Sequence, residues 1–296
     1  MQSKFSKFHP IVNFLFFIVT IALSMFVMHP VFLATSLITS FIYSVMLNGK
    51  KALKFNAFII LPMALFSIAV NILFNHRGET VIGFLPQGSA ITLESVTAGI
   101  ATAVMIASVI CWFSCYNVIM TSDKFIYIFG KRLPSVSLIL SMVFRFVPRF
   151  KAQFKRTVTA QKCIGYDISE GRLSHRVKNL AKVTSVMTGW ALENSIETAD
   201  SMKSRGYGLK GRTSFSTYKF RKADRLAVCY VLATTVYIIA GIVKGGVEYS
   251  YYPIVNIQGG TAYSASIFAA FALLCSLPVI IEIQEDIKWK YLKSKI

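Results

Sequence analysis

Arg205 and Gly206 close the run Ser201-Met202-Lys203-Ser204-Arg205-Gly206-Tyr207-Gly208, and they are the residues of this sequence best suited to a defined polar contact. Glycine accepts the left-handed conformation that ends a helix, and a cation in the last turn complements the helix dipole. That alone accounts for the pair as a local stop. An arginine at such a tip also presents a five-donor fork that can reach carboxylates or carbonyls of a docked protein. Met202, Ser204 and Tyr207 flank it, and a second stop is written at Lys162-Cys163-Ile164-Gly165, ahead of Tyr166-Asp167.

Other chemistry is sparse. The five cysteines, Cys111, Cys115, Cys163, Cys229 and Cys275, form neither a CxxC pair nor a Cys/His ligand spacing, so no disulfide framework, metal site or cofactor is expected. His9, His29, His76 and His175 are scattered, without carboxylates nearby in sequence. No GxxxxGK[ST] phosphate loop occurs, so the chain is not expected to be an enzyme, and any nucleotide hydrolysis must belong to partners.

The elements that position these residues follow from composition. The chain has 296 residues, 54% of them hydrophobic and 15% charged, and a mean hydropathy of +0.57, values that belong to the membrane class. Its formal charge of +19 is concentrated in few places. From Arg145 to Arg225 there are eighteen Lys or Arg against six Asp or Glu, set between nearly uncharged apolar blocks. Such clustering weighs cytoplasmic loops against nucleic-acid binding, and the alternation described below favours the loops, with lipid and no nucleic acid as contact.

A span needs ~20 mainly apolar residues. Six segments are expected to cross: Ile11 to Met28, Val31 to Leu47, Ala57 to Phe74, Val96 to Met120, Leu226 to Val243 and Tyr263 to Ile283. Lys4, Lys7, Lys50, Lys51, Lys54, Lys124, Lys131 and Arg132 then fall inside, as do Lys288, Lys290, Lys293 and Lys295 at the end. The turn at His29-Pro30 and the connectors Asn75 to Thr92, with Gly83, Pro86 and Gly88, and Gly245 to Ala262 fall outside. Their only cation is Arg77, with Lys244 just ahead of the second connector. Both termini are therefore expected in the cytoplasm.

Between the fourth and fifth spans, Phe125, Ile126, Ile128 and Phe129 predict a short amphipathic turn ending near Gly130. Pro134 opens an apolar segment, Ser135 to Phe150, that leads into the basic run Lys151 to Lys162, with a kink predicted at Pro148. A second helix is predicted from after Ser174 to Arg205. Val183, Val186, Met187 and Trp190 form its apolar side, continued by Leu192, Ile196, Ala199 and Met202. Glu193, Glu197 and Asp200 stack as an acidic strip, which calls for a basic neighbour such as Arg149, Lys151 or Lys155 on the preceding helix.

Several of these runs make the chain resemble the transmembrane T component, EcfT/CbiQ-like, of energy-coupling factor (ECF) ABC-type transporters. They are Thr121-Ser122 through Phe129, Leu138 to Pro148, Ala160-Gln161-Lys162-Cys163-Ile164-Gly165 and Ala199 through Tyr207. The resemblance implies an all-α integral membrane protein of about six transmembrane helices, plus two long cytoplasmic coupling helices between the fourth and fifth spans. Residues 1–120 would carry the N-terminal spans, 121–225 the coupling region and 226–296 a C-terminal hairpin. It further implies two ABC-type ATPase subunits, or a homodimer, docked on Ala-Arg-Gly-like signatures at the two helix ends. A small substrate-binding membrane subunit would complete an importer of vitamin or metal in a prokaryotic plasma membrane.

The second signature stands here as Ser204-Arg205-Gly206. Aligned on Ala160-Gln161, the first falls on Cys163-Ile164-Gly165, with Ile164 where the arginine is expected. Lys162, two residues earlier, points about 200° around the helix and does not substitute. Either that end engages its partner by apolar contact and backbone, or the register shifts by a residue or two. A secondary carrier or a membrane-tethered basic scaffold acting without ATPases is the rival class. The first four spans, however, lack interior Asp, Glu, Lys or Arg. Cysteines placed at Lys178 and Lys203 are expected to label from the cytoplasmic side only; labelling from outside would overturn this topology.

Overall fold

The computed structural model describes residues 3–75, 78–84, 90–130, 133–207, 209, 218–257 and 261–293. His76, Arg77, Pro86, Gly88, Lys131, Arg132, Gly208 and Lys295 lie outside the described residues. After a 3-10 turn at Phe5–Lys7, the elements are α1 (Pro10–Phe26), α2 (Pro30–Asn48), α3 (Lys50–Phe74), β1 (Val81–Phe84), β2 (Ala90–Thr92) and α4 (Leu93–Ile119). They continue with α5 (Ser122–Gly130), α6 (Pro134–Cys163), α7 (Leu173–Ser204), α8 (Lys222–Val243), β3 (Tyr249–Ser250), β4 (Asn256–Ile257) and α9 (Ala262–Lys293). The chain divides into two compact units, Met1–Lys124 with Tyr218–Ile296, and Phe125–Thr217.

All six apolar segments are helical. α2, α4, α8 and α9 are long and apolar enough to cross a membrane, while α1 and the Phe58–Phe74 part of α3 are shorter apolar helices. This is an all-α membrane protein. Phe26, Phe58 and Phe74 are each more than 80% exposed, which suits hydrocarbon and not water. The first two helices start the same way: His9 and His29 each accept, at Nδ1, the N–H two residues on (3.3 Å), and Pro10 and Pro30 occupy the first helical position.

α4 is the centre of the first unit and packs chiefly on α3 and α2. Trp112, Cys111, Cys115 and Ile119 are fully buried on it. The Trp112 indole meets Phe16 (5.8 Å) and Phe17 (6.2 Å) of α1 edge to face, and Phe5 adds to the cluster from before α1. Phe32 of α2 packs on Phe271 of α9 at 4.4 Å. A polar seam runs beside this aromatic core. Ser36, Ser40 and Ser44 recur every fourth residue on α2 and are buried; Ser24 Oγ lies 2.6 Å from Ser36 Oγ, Trp112 Nε1 donates to Ser36 Oγ (3.0 Å), and Asn56 Nδ2 donates to Ser44 Oγ (3.1 Å). Small hydroxyl residues let helices approach closely and pair across the gap.

The connectors hold structure that alternation over so few residues did not announce. β1 pairs antiparallel with β2, and β3 with β4. Thr92 then caps α4 by accepting the Ser95 N–H.

In the second unit, the segments Ser135–Phe150 and Lys151–Lys162 form one helix, α6, which continues through Pro148. α7 ends at Ser204, with Arg205 as its C-cap. Phe146 of α6 stacks on Trp190 of α7 (5.6 Å, 25°), and Thr157 Oγ1 donates to Met187 Sδ (3.5 Å). As positions advance along α6 their partners retreat along α7, so the two helices run in opposite directions. Val183 and Met187 are buried in this crossing, whereas Val186, Leu192 and Ile196, expected on the same apolar side, are exposed. One three-helix contact offers a direct test of the first unit. Ser36→Ala leaves the Trp112 ring packing in place and removes the hydroxyl that Ser24 and Trp112 both reach, so unfolding in mixed micelles should show a loss of about 0.6 to 1.7 kcal/mol with insertion unchanged.

Candidate functional site

Two helix ends of the second unit share one design. At the end of α6, Ile164 is the C-cap (φ −96°, ψ 10°) and Gly165 turns left-handed (φ +85°). The Gly165 N–H donates to the Lys162 carbonyl (3.1 Å) and the Tyr166 N–H to the Gln161 carbonyl (2.9 Å). At the end of α7, Arg205 is the C-cap (φ −85°, ψ 10°) and Gly206 has φ +76°. The Gly206 N–H donates to the Lys203 carbonyl and the Tyr207 N–H to the Met202 carbonyl, both at 3.0 Å. Each is a Schellman cap, in which glycine supplies the left-handed residue and two orphan carbonyls are satisfied. Ile164 therefore occupies the position of Arg205, in the register Cys163-Ile164-Gly165-Tyr166 against Ser204-Arg205-Gly206-Tyr207.

Both tips point into open space. Ile164 is 68% exposed, and Arg205, Ser204, Cys163 and Gly165 are exposed too, while Met202 and Gly206 are half-buried. Behind the first tip the chain is pinned. Lys162 Nζ forms an ion pair with Asp167 (2.8 Å), whose carboxylate also accepts from the Ser169 N–H and hydroxyl. The Lys162 and Ser169 contacts hold the Asp167 carboxyl well below the usual carboxylate range, and Asp167 raises Lys162 above the ordinary lysine value. A depressed carboxylate contributes above its ordinary value and a raised lysine below its own, so the pin is intact throughout the neutral range.

The loop after Gly165 is also fastened to α7. Lys182 Nζ lies 3.4 Å from the centre of the Tyr166 ring, Asn179 Nδ2 donates to the Asp167 carbonyl (2.8 Å), and Arg176 Nε donates to the Ile168 carbonyl (2.9 Å). Sequence reasoning missed these three anchors. Asn179 had a readable signal, since it shares the helix stripe of Val183 and Met187 and is buried with them. Because the first tip rests against Lys182, the helical stretch from there to Arg205 sets the two tips roughly 35 Å apart along α7 at ~1.5 Å per residue.

The acidic strip is not joined to α6 by charge. Glu193, Glu197 and Asp200 are exposed, and so are Arg149, Lys151 and Lys155. The ion pairs among the described residues are Lys4–Glu285 and Lys162–Asp167. Aromatic stacking at Trp190 and the Thr157–Met187 contact do the fastening. Exposed carboxylates keep their hydration and gain little by ordering a long side chain beside them.

The profile of the CbiQ family, described as a cobalt transport protein, matches residues 4–215, which takes in both helix ends. This chain belongs to the CbiQ cobalt transport family. Within the family's reach it is 27% identical over 179 residues to the energy-coupling factor transporter transmembrane protein EcfT of Streptococcus thermophilus, covering 57% of this chain and 67% of that protein. Over 106 residues it is 30% identical to the protein of the same name from Lactobacillus helveticus, covering 36% and 38%. The uncharacterized protein MG181 of Mycoplasma genitalium is 31% identical over 112 residues, covering 38% and 27%. The matched stretches thus span only part of these relatives' length.

An added Cβ at Gly165 would meet no atom within 4 Å, so Gly165→Ala isolates the backbone requirement. A left-handed alanine costs about 1 to 2 kcal/mol. Exchange of the Tyr166 amide should therefore quicken roughly five- to thirty-fold; an unchanged rate would show that the cap does not depend on the glycine.

Proposed function

We propose that this chain is the non-catalytic transmembrane scaffold of an ECF-type importer, passing the motion of ATP-hydrolysing subunits to a separate substrate-binding membrane subunit. The observation that carries the reading is the pair of identically capped, outward-facing helix tips, set far apart on one two-helix unit. Two tips at that spacing suit two docked ABC-type ATPase subunits, or the halves of a homodimer. The substrate class is vitamin or metal, as for cobalt in the description of the family. Both termini and the second unit lie on the cytoplasmic side in this reading, with residues 1–120 and 226–296 as membrane segments and 121–225 as the coupling region.

The two tips have different chemistry and therefore different roles. Arg205, with Ser204, Gly206, Met202 and Tyr207 around it, docks through charge-assisted hydrogen bonds, typically ~1.5 to 3 kcal/mol each. Ile164, with Lys162, Cys163 and Gly165, docks by apolar area and backbone, since Lys162 is already engaged by Asp167.

Arg205→Glu tests the reading. The exposed C-cap should cost the fold only the dipole contribution of about 0.3 to 1 kcal/mol, whereas like charges across an interface cost several kcal/mol. Membrane level should stay normal while recovery of the ATPases falls and uptake is lost. Unchanged recovery and uptake would return Arg205 to an ordinary helix cap. Ile164→Ala should weaken ATPase recovery modestly; if it abolished uptake while Arg205→Ala did nothing, the two roles would be reversed.

A further inference from the structure

The chain passes from the first unit to the second after Lys124 and returns at Tyr218. A segment of seven residues, Ser3 to His9, touches both of these places from within the first unit. Lys124 is 5% exposed, and its ammonium donates to the Ser6 carbonyl, the Ser6 hydroxyl (2.8 Å) and the Ile119 carbonyl at the end of α4 (2.9 Å). Three donors meet three acceptors. Where the chain returns, the His9 N–H donates to Asp224 Oδ1 (2.9 Å), and Asp224 Oδ2 accepts the Arg221 N–H (2.8 Å). The His9 ring packs edge-on against Phe220 (4.8 Å) and Tyr218 (6.5 Å).

The same segment is seated on the rest of the bundle. Phe5 is fully buried among Phe8, Phe16 and Phe17. Ser3 donates to the Glu282 carboxylate, Lys4 pairs with Glu285, and the Lys4 ammonium lies 5.4 Å from the Trp289 ring, all three partners on α9. The segment is thus tied to α9, to the α4–α5 corner and to the start of α8. Burying a lysine and an aspartate costs free energy that only a complete set of partners offsets. Burial pushes the Lys124 ammonium down to about 8. Lys124 and Asp224 stand at the chain's two passages between units.

We infer that Ser3–His9 is a clasp that holds firm the two passages of the chain between the units, with Lys124 and Asp224 as positioning residues for coupling. The inference rests on the transport reading above. These two covalent links are a route by which movement of the second unit reaches the membrane helices. A link anchored in a packed core transmits displacement; a loosely held one takes it up as local bending.

Lys124→Met keeps the stem and removes all three donors. In the intact complex, amide exchange over residues 119–124 and 218–225 should rise roughly ten-fold at the first passage, with less change at the second. ATPases should still co-purify and hydrolyse ATP, while most of the substrate taken up per ATP is lost. Asp224→Asn should give the reverse pattern of exchange with the same loss of uptake per ATP, and it serves if Lys124→Met fails to accumulate. Unchanged exchange overturns the clasp. Faster exchange with uptake per ATP unaltered makes the segment structural only and overturns its part in coupling. Absence of ATPases from the wild-type preparation instead overturns the transport reading, and the coupling role with it, whatever the exchange rates show.

Discussion

A peptide group in hydrocarbon has no water to bond, so it must find its partner within its own segment, and the architecture of the first unit follows from that requirement. Helices satisfy it at every residue, which is why the strands are confined to the short connectors β1–β2 and β3–β4. The groups that a helix cannot satisfy by itself are its ends. α1 and α2 solve this locally with a histidine cap and a proline, and α4 with Thr92. Once backbone needs are met, what distinguishes one helix face from another is small: a serine every fourth residue on α2, or an indole N–H on α4. Ser36, reached from both Ser24 and Trp112, locates three helices against each other through one hydroxyl.

The second unit obeys the same rule under different conditions. α6 and α7 carry much of the chain's charge, and their crossing is decided by the few apolar and aromatic side chains that water excludes, Trp190 with Phe146 and Phe150, and Val183 and Met187. Charges in water contribute little to such a crossing, so the acidic strip stays solvated. Ends matter again, because each helix has carbonyls to satisfy, and a left-handed glycine does this while projecting the residue before it outward. The projection of Ile164 and Arg205 is thus a by-product of capping that a partner can read. At the apolar tip, Tyr166, Asp167 and Ile168 are bonded back onto α7, which braces it.

Two buried charges of the first unit, Lys124 and Asp224, stand where the chain changes units; a third, Glu94 at the start of α4, is held by the Thr80 hydroxyl instead. Lys124 and Asp224 each bind backbone groups of the amino-terminal segment, and each does so with its polar atoms engaged. Charged groups tolerate burial only with partners placed beforehand, which makes them good fasteners and poor fillers. A membrane bundle that must stay coherent while force enters at two points has reason to put its strongest polar contacts at those points.

Much was legible in the amino-acid sequence because it depends on neighbours in the chain. The six apolar runs became helices with ends within a few residues of those expected, α3 and α9 extending further into their charged flanks, and Gly165 and Gly206 stop their helices as glycine next to a cap residue must. Hydrophobic runs and caps are short-range signals. The continuity of α6 through Pro148, the exposure of Leu192 and Ile196, and the absence of ion pairs to Glu193, Glu197 and Asp200 were decided by what packs against what. Lys124 read as one more cation on the inner side, yet its partner Ser6 is 118 residues away, and that of His9, Asp224, is 215 away. No periodicity encodes such pairs: they exist only after the helices have assembled and brought the segment before α1, a corner and a helix start to one place.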